Sequence, residues 1–384
     1  LVLGAGTAIR SEASVAVGDG AQLSGLAVTL GAQTGGTVVA TSQRDVELNF
    51  SESATVSVVD SLPGDANPTS VTGTTVALTA VSATSYTAVG DSASNFVSGV
   101  TKAYVQGASV TSQSGPLKIE ARDSAQLAAT AGNRFLDLDL LVVDIELSLA
   151  SAENVLDRSV EAYGLLATLA ATGGDIEVAA SAAAMLNARA TAESITDSDG
   201  LLGSFALSGG GTLAGNALLG NVQAYLSGGS ATTTTSGDIL VNATNRTGLS
   251  ATVNGNVSAV SAAASDAISS SIGAAIAFNL VGWEVDGFFD QTLNTLLGTA
   301  IGETERVYLV DAWTADATLS PAGALVIEAL ANTSLDATAT NELVQESSSV
   351  FGSMGASGGA IVSRNKVSTF TTASLDYTSG PVAV

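Results

Sequence analysis

The feature that most restricts how this chain can fold is a line it writes again and again. "NFVSGVTKAYVQG" begins at Asn95, "NVLDRSVEAYGLL" at Asn154 and "NALLGNVQAYLSG" at Asn216. A fainter copy, "NKVSTFTTASLDY", begins at Asn365, and Asn279 leads an interrupted one. The leading residues Asn95, Asn154, Asn216, Asn279 and Asn365 are 59, 62, 63 and 86 positions apart. A second marker follows each line: Gly, one residue, then apolar-x-apolar-x-Ala. It reads "GPLKIEA" to Ala121, "GDIEVAA" to Ala180, "GDILVNA" to Ala243 and "GALVIEA" to Ala329. Six residues after each Ala stands Leu127, Leu186, Leu249 or Leu335. "TVALTA", ending at Ala80 with Tyr86 six residues on, is an earlier copy. Three markers in one register over several copies point to a repeat architecture.

The irregular intervals carry further information. From the marker Ala to the next leading Asn is 33 to 36 residues in four copies but only 15 after Ala80. The copy led by Asn279 holds a surplus of about twenty residues, in keeping with a stacked unit that can be gained or lost. That spacing predicts a coil of roughly 20 to 25 residues, with the Asn line recurring about every third coil. Some 15 to 19 such coils, each rising about 4.8 Å, make a rod of about 70 to 90 Å. "KAYVQGASV", "GDIEVAA" and "GDILVNA" alternate side-chain type with period two, the strand signal. The expected fold class is therefore all-β, a right-handed parallel β-helix (β-solenoid). Beads of small β-sandwiches are the competing architecture, favoured less because sandwiches want bulkier cores and clearer linkers.

Composition fits thin, stacked layers. The chain is 46% hydrophobic but 4% aromatic, so the apolar mass is mostly Ala, Val and Leu, and 41 residues are Gly. We read residues 1–384 as one continuous array. Repeats are degenerate over 1–94 and clearer over 95–153, 154–215, 216–278 and 279–364, with a partial one at 365–384. The opening "LVLGAGTAIR" and the mid-motif ending "SGPVAV" read as a fragment of a longer chain. Within each line, Asn is expected at a coil corner, where it tolerates left-handed backbone angles. These five Asn are thus structural repeat corners. Tyr is expected half-buried, with its hydroxyl toward solvent.

Several function classes are excluded. There is no Cys and no His, so no disulfide, thiolate metal site or imidazole-dependent triad can form. The net charge of −24 repels nucleic acid and anionic membrane. No apolar run reaches the roughly 18 residues of a spanning helix.

Three segments are candidate sites. Asp197 and Asp199 in "TDSDGLLG" precede a Gly turn and could contribute to calcium binding, although calcium wants six to eight oxygens. No other cofactor is expected. "FLDLDLLVVDIELSL" from Phe135 alternates with a parity switch at Val142–Val143, which predicts a bend or bulge, and its Asp137, Asp139, Asp144 and Glu146 read as a solvated face. "WEVDGFFDQTLNTLLGTAIGETERVY" from Trp283 departs from the strand pattern. Its apolar spacing predicts one short lateral helix near 286–302, and Trp283, Phe288 and Phe289 are a candidate contact surface. Scattered Lys and Arg, 12 in all, argue against an enzyme.

The motifs "AYV-x-GA-x-V", "G-x-L-x-I-x-A" and "G-x-A-x-x-x-N", over roughly residues 72 to 384, resemble the repeat arrays of giant exported bacterial surface proteins, the filamentous-haemagglutinin-like adhesins. That resemblance implies a β-helix used as a non-catalytic structural and adhesive module, a rigid stalk or filament subunit, at the bacterial cell surface or outside the cell. It carries over no catalytic residues. Expected partners are neighbouring repeats or copies of the chain end to end, and a host or cell-surface glycan or protein, with no nucleic acid and no membrane insertion. A glycan- or calcium-binding lateral face is the alternative reading, and a polysaccharide-active β-helix enzyme is the second.

Overall fold

The computed structural model of the protein describes residues 5–18, 20–41, 46–59, 69–137, 143–200, 204–285 and 303–377. It is all-β, with no helix among those residues. The chain begins with β1 (Ala5–Gly18), β2 (Gln22–Thr41), β3 (Val46–Val59), β4 (Ser70–Gly90) and β5 (Ser92–Gln106). A regular three-strand cycle then sets in: β6 (Ser109–Ser112), β7 (Leu117–Asp137), β8 (Val143–Leu165); β9 (Thr168–Ala171), β10 (Ile176–Gly200), β11 (Ser204–Ser227); β12 (Ser230–Thr233), β13 (Ile239–Ala263), β14 (Asp266–Val281). A small excursion, β15 (Trp283–Val285) and β16 (Glu303–Glu305), pairs antiparallel with itself. The chain then resumes with β17 (Tyr308–Ala315), β18 (Thr318–Ser320), β19 (Leu325–Ser349), β20 (Gly352–Val367) and β21 (Thr369–Asp376).

These strands form two parallel sheets. The first runs β1-β3-β5-β8-β11-β14-β20, with β17 and β21 completing its last two layers. The second contains β2-β4-β7-β10-β13-β19, with the short β6, β9, β12 and β18 in line. Consecutive long strands therefore lie in opposite sheets, and each pairs with its counterpart one whole repeat away. We call one such layer a rung.

Register follows the sequence markers. Asn95, Asn154, Asn216, Asn279 and Asn365 are successive pairing partners in the first sheet. Ala80, Ala121, Ala180, Ala243 and Ala329 are partners in the second, as are Tyr86, Leu127, Leu186, Leu249 and Leu335. Inward positions alternate with outward ones, and the inward Ala, Val, Leu and Ile of both sheets form one core. Such thin side chains let the two sheets close on each other along strands of 23 to 25 residues.

The asparagines are not corners. They sit within strands, and Asn95, Asn154, Asn216 and Asn279 face inward and are fully buried. Each Nδ2 donates to the Oδ1 of the next: Asn95 to Asn154 at 2.8 Å, Asn154 to Asn216 at 2.9 Å, Asn216 to Asn279 at 2.8 Å, Asn279 to Asn365 at 2.9 Å. A second Nδ2 bond crosses to the facing sheet, from Asn95 to the Ala128 carbonyl, Asn216 to Ser250 and Asn279 to Asp336. The amide is chosen here because it donates and accepts at once, which lets an identical residue repeat on every rung.

The real corner lies three residues after the aromatic. Gly107, Leu166, Gly228 and Asp316 all have left-handed φ, of 65°, 51°, 62° and 51°. Even here the stack continues: the Leu166 amide donates to the Ser227 carbonyl at 2.8 Å and that of Gly228 to Ala315 at 2.8 Å. At another turn the Gly-Asp pairs are explained. Asp175 Oδ1 accepts from the Asp238 amide at 2.8 Å, and Asp238 Oδ1 from the Ala324 amide at 2.7 Å.

The expected coil of 20 to 25 residues is corrected: one full rung takes the whole repeat, because a single strand already runs to 23 to 25 residues. The missing twenty residues after Ala80 are not a lost coil. Strands β4 and β5 turn back early, between Gly90 and Ser92, where the rung above runs on from Ala131 to Ser151. The surplus is the excursion between β14 and β17. The bend or bulge expected at Val142–Val143 involves residues 138–142, which lie outside the described residues, as does the helix expected near 286–302.

Two outcomes test this geometry. Asn216→Leu orphans Asn154 Nδ2, Asn279 Oδ1 and the Ser250 carbonyl, and denaturant unfolding should show a loss of about 3 kcal/mol or more. Leu166→Gly relieves a left-handed leucine and should stabilise by up to about 1 kcal/mol in the same assay.

Candidate functional site

The most concentrated polar chemistry lies inside the stack, where no sequence motif marks it. Arg158 of β8 faces inward and reaches two acids. Its Nη2 donates to Glu52 Oε2 at 2.7 Å, and its Nη1 bonds Asp123 and, at 2.6 Å, Ser82 Oγ. The Tyr86 hydroxyl donates to the other Glu52 oxygen. Arg158 and Asp123 are each only 4% exposed, Glu52 5%, and Ser82 and Tyr86 2%. Burial pushes the Asp123 carboxyl above its ordinary range, opposed by the Arg158 charge. For Arg158, burial works against the cation, but Asp123 and Glu52 outweigh it and raise its pKa. Burial and the Glu52 hydrogen bond likewise raise Tyr86. An Arg with carboxylates is the set a polysaccharide-cleaving β-helix would use, but here the groups are sealed from substrate. Tyr86 stands in a column that carries Leu on the four rungs that follow, which was the signal in the sequence that this rung differs.

On the outer face of the first sheet the aromatic of each repeat line forms a stack. Tyr104 and Tyr163 lie 4.8 Å apart, Tyr163 and Tyr225 4.6 Å, Tyr225 and Trp313 4.4 Å, each pair nearly parallel. The rings spend their faces on one another and present edges to solvent, which suits cross-strand cohesion rather than a sugar platform. Beside them Lys102 Nζ meets Glu161 at 3.0 Å.

Farther along the same face the surface is apolar. Leu149, Leu207, Gly209, Gly211, Ile272 and Ala274 line a trough of about 750 Å³. The row continues along β14 into Ile276, Phe278 and Leu280, which point outward yet are buried, packed with Ala217, Leu213 and Trp283.

The predicted site residues fall as follows. Asp197 and Asp199 lie within strand β10 rather than at a turn, two positions apart on its outward face. Burial and the neighbouring Asp199 raise the Asp197 pKa. Among the described residues no group of three or more potential ligands assembles around them. Trp283 opens β15 and is half-buried; Lys366 Nζ sits 3.2 Å from its ring centroid, so a cation already occupies one face. Phe288, Phe289 and Asp139 lie outside the described residues. The five Asn are assembled, as the interior ladder. The structure does not bring Trp283 to the Asp197–Asp199 pair: β15 and β10 belong to different sheets.

No family model matches the chain, and neither a curated protein nor a solved structure does.

Arg158→Met leaves two buried carboxylates without a cation and should cost about 3 to 5 kcal/mol, whereas Glu52→Leu, Asp123→Leu and Arg158→Met together should melt close to the parent. The sign for Asp123 follows from its raised folded pKa. Its contribution is fully present below the unfolded value near 3.9 and is lost as pH rises through the folded value. The stability of Asp123→Asn relative to the parent should therefore improve from acidic to neutral pH in a series of denaturant titrations.

Proposed function

We propose that this chain is a non-catalytic structural module, a right-handed parallel β-solenoid whose work is mechanical. The supporting observation is the ladder of five asparagines in register across both kinds of length change. The right-handed sense follows the general preference of parallel crossovers. Each rung is bound to the next by backbone bonds along the whole length of its strands and by Asn amides and aromatic rings in line with them. Among the described residues the densest ion cluster is buried inside the stack and not held at an open cleft.

The resemblance to filamentous-haemagglutinin-like repeat arrays supports an exported bacterial surface protein, with this segment as part of a stalk or adhesive fibre. The shape qualifies the stalk reading. About 60 residues add only about 4.8 Å along the stack, while 25-residue strands span about 80 Å across it. The module is therefore a broad wall more than a thin rod, and its two lateral faces offer area for contact with a surface partner. The last rung, β19 to β21, leaves a parallel edge open, with Asn365, Phe370 and Met354 exposed. Further repeats or another copy of the chain would pair there.

Negative-stain images should show a flat particle about 80 Å wide and about 30 Å thick along the stack. Separate compact lobes would refute the reading. A rise in melting temperature with millimolar calcium, abolished by Asp197→Asn, would favour a calcium-binding lateral face instead.

A further inference from the structure

The ladders make every rung look alike, and that raises a problem of order. Asn stacks on Asn, Ala103 on Ala162, Ala224 and Ala312, and the rings of Tyr104, Tyr163, Tyr225 and Trp313 on one another. Pairing that skipped one rung would satisfy all of these ladders equally well. One inward column does not repeat this way. In the first sheet it reads Glu52, Gly99, Arg158, Gly220, with Tyr308 next, one position before the Asn221–Leu309 pair. Large and absent side chains alternate. The facing column in the second sheet reads Thr34, Ser82, Asp123, Ala182, Asn245 and Ala331. It too places its polar partners where the large residues need them: Ser82 and Asp123 for Arg158, and Asn245, whose Oδ1 accepts from the Tyr308 hydroxyl at 3.3 Å.

The glycines are required by what lies beside them. A Cβ on Gly99 would overlap the Glu52 carbonyl, and one on Gly220, at φ 115°, the Arg158 carbonyl. Arg158 passes over the empty position at Gly99 to bond Glu52 two rungs away, a span of about 9.6 Å. We propose that this column sets the order in which rungs stack: a large residue on every second rung, with glycine between, imposes a two-rung period that the identical ladders lack. A one-rung skip would crowd Arg158 directly against Glu52 or set Gly99 against Gly220 over a void. A two-rung skip restores the alternation. Buried polar groups that specify register at some cost in stability have precedent in coiled coils.

Two internal deletions test this, each carrying Glu52→Gln and, where the residue remains, Asp123→Asn, so that no buried carboxylate is stranded. Removal of 154–215 joins Glu153 to Asn216 and drops one rung; the column becomes Gln, Gly, Gly, Tyr. Removal of 95–215 joins Ser94 to Asn216 and drops two; the column becomes Gln, Gly, Tyr. All Asn, Ala and Leu ladders stay in register in both. A plain stack gains stability with each added rung, so the longer chain should melt higher. The column predicts the reverse, with the shorter chain melting higher by about 5 °C or more. Equal melting, or a more stable longer chain, would overturn the proposal. Should either deletion fail to fold, disulfide trapping in the full chain decides. Ser53 pairs with Val100, which pairs with Ser159, so a Ser53→Cys, Ser159→Cys pair sits two rungs apart and is too distant to bridge in the native order. Flattening the column with Glu52→Ala, Asp123→Ala and Arg158→Ala should raise that cross-link at least about tenfold over the unflattened pair. No increase would overturn it.

Discussion

Everything else in this molecule depends on a buried amide that must find both a donor and an acceptor. An inward asparagine in a wall of Ala, Val and Leu is costly unless all of its groups are paired. Here the only partner that serves on every rung is another asparagine at the same height. Pairing at an offset short of a whole repeat would strand an Nδ2 and an Oδ1 per layer. The ladder thereby converts a sequence period of about sixty into a structural one and fixes which face of each strand looks inward. At its N-terminal end the ladder stops: Leu48 stands beside Asn95, whose Oδ1 finds no donor. There the array is also narrowest.

The same constraint explains what may vary. The chain between Ala131 and Ser151 has no counterpart at β4–β5, and the excursion after Val281 has none in the other rungs. The first change falls between the Leu and Asn columns and the second between the Asn and aromatic columns, and neither shifts a column out of register. Length can be added or removed at a turn without disturbing an amide in the interior. Cohesion and length variation are thereby carried by different parts of each rung.

Much of this was legible in the sequence. The markers named the ladder residues, and their offsets gave the register in both sheets. Strand length was not legible, because stretches such as "SGGGTLAG" in β11 read as breakers while in fact small side chains leave room for the facing sheet. The asparagines were placed at corners on their turn propensity; burial between two sheets overrode it, and the corner fell to Gly107, Leu166, Gly228 and Asp316 instead. The ion cluster was invisible for a different reason. Arg158 and Glu52 are 106 residues apart, and only the stacking brings them together. Asp197 and Asp199 looked like a turn because Gly200 follows; the strand simply continues to that residue.

The claim that one repeat is one rung is most directly tested by disulfide trapping on the outer face of the second sheet, in a chain that has no cysteine of its own. Lys118 and Glu177 are pairing partners, joined by an ion pair of 2.7 Å, and Leu240 lies one rung beyond. Cysteines at 118 and 177 should bridge readily on oxidation, while cysteines at 118 and 240 should not. Efficient bridging of 118 to 240, or none between 118 and 177, would contradict the account.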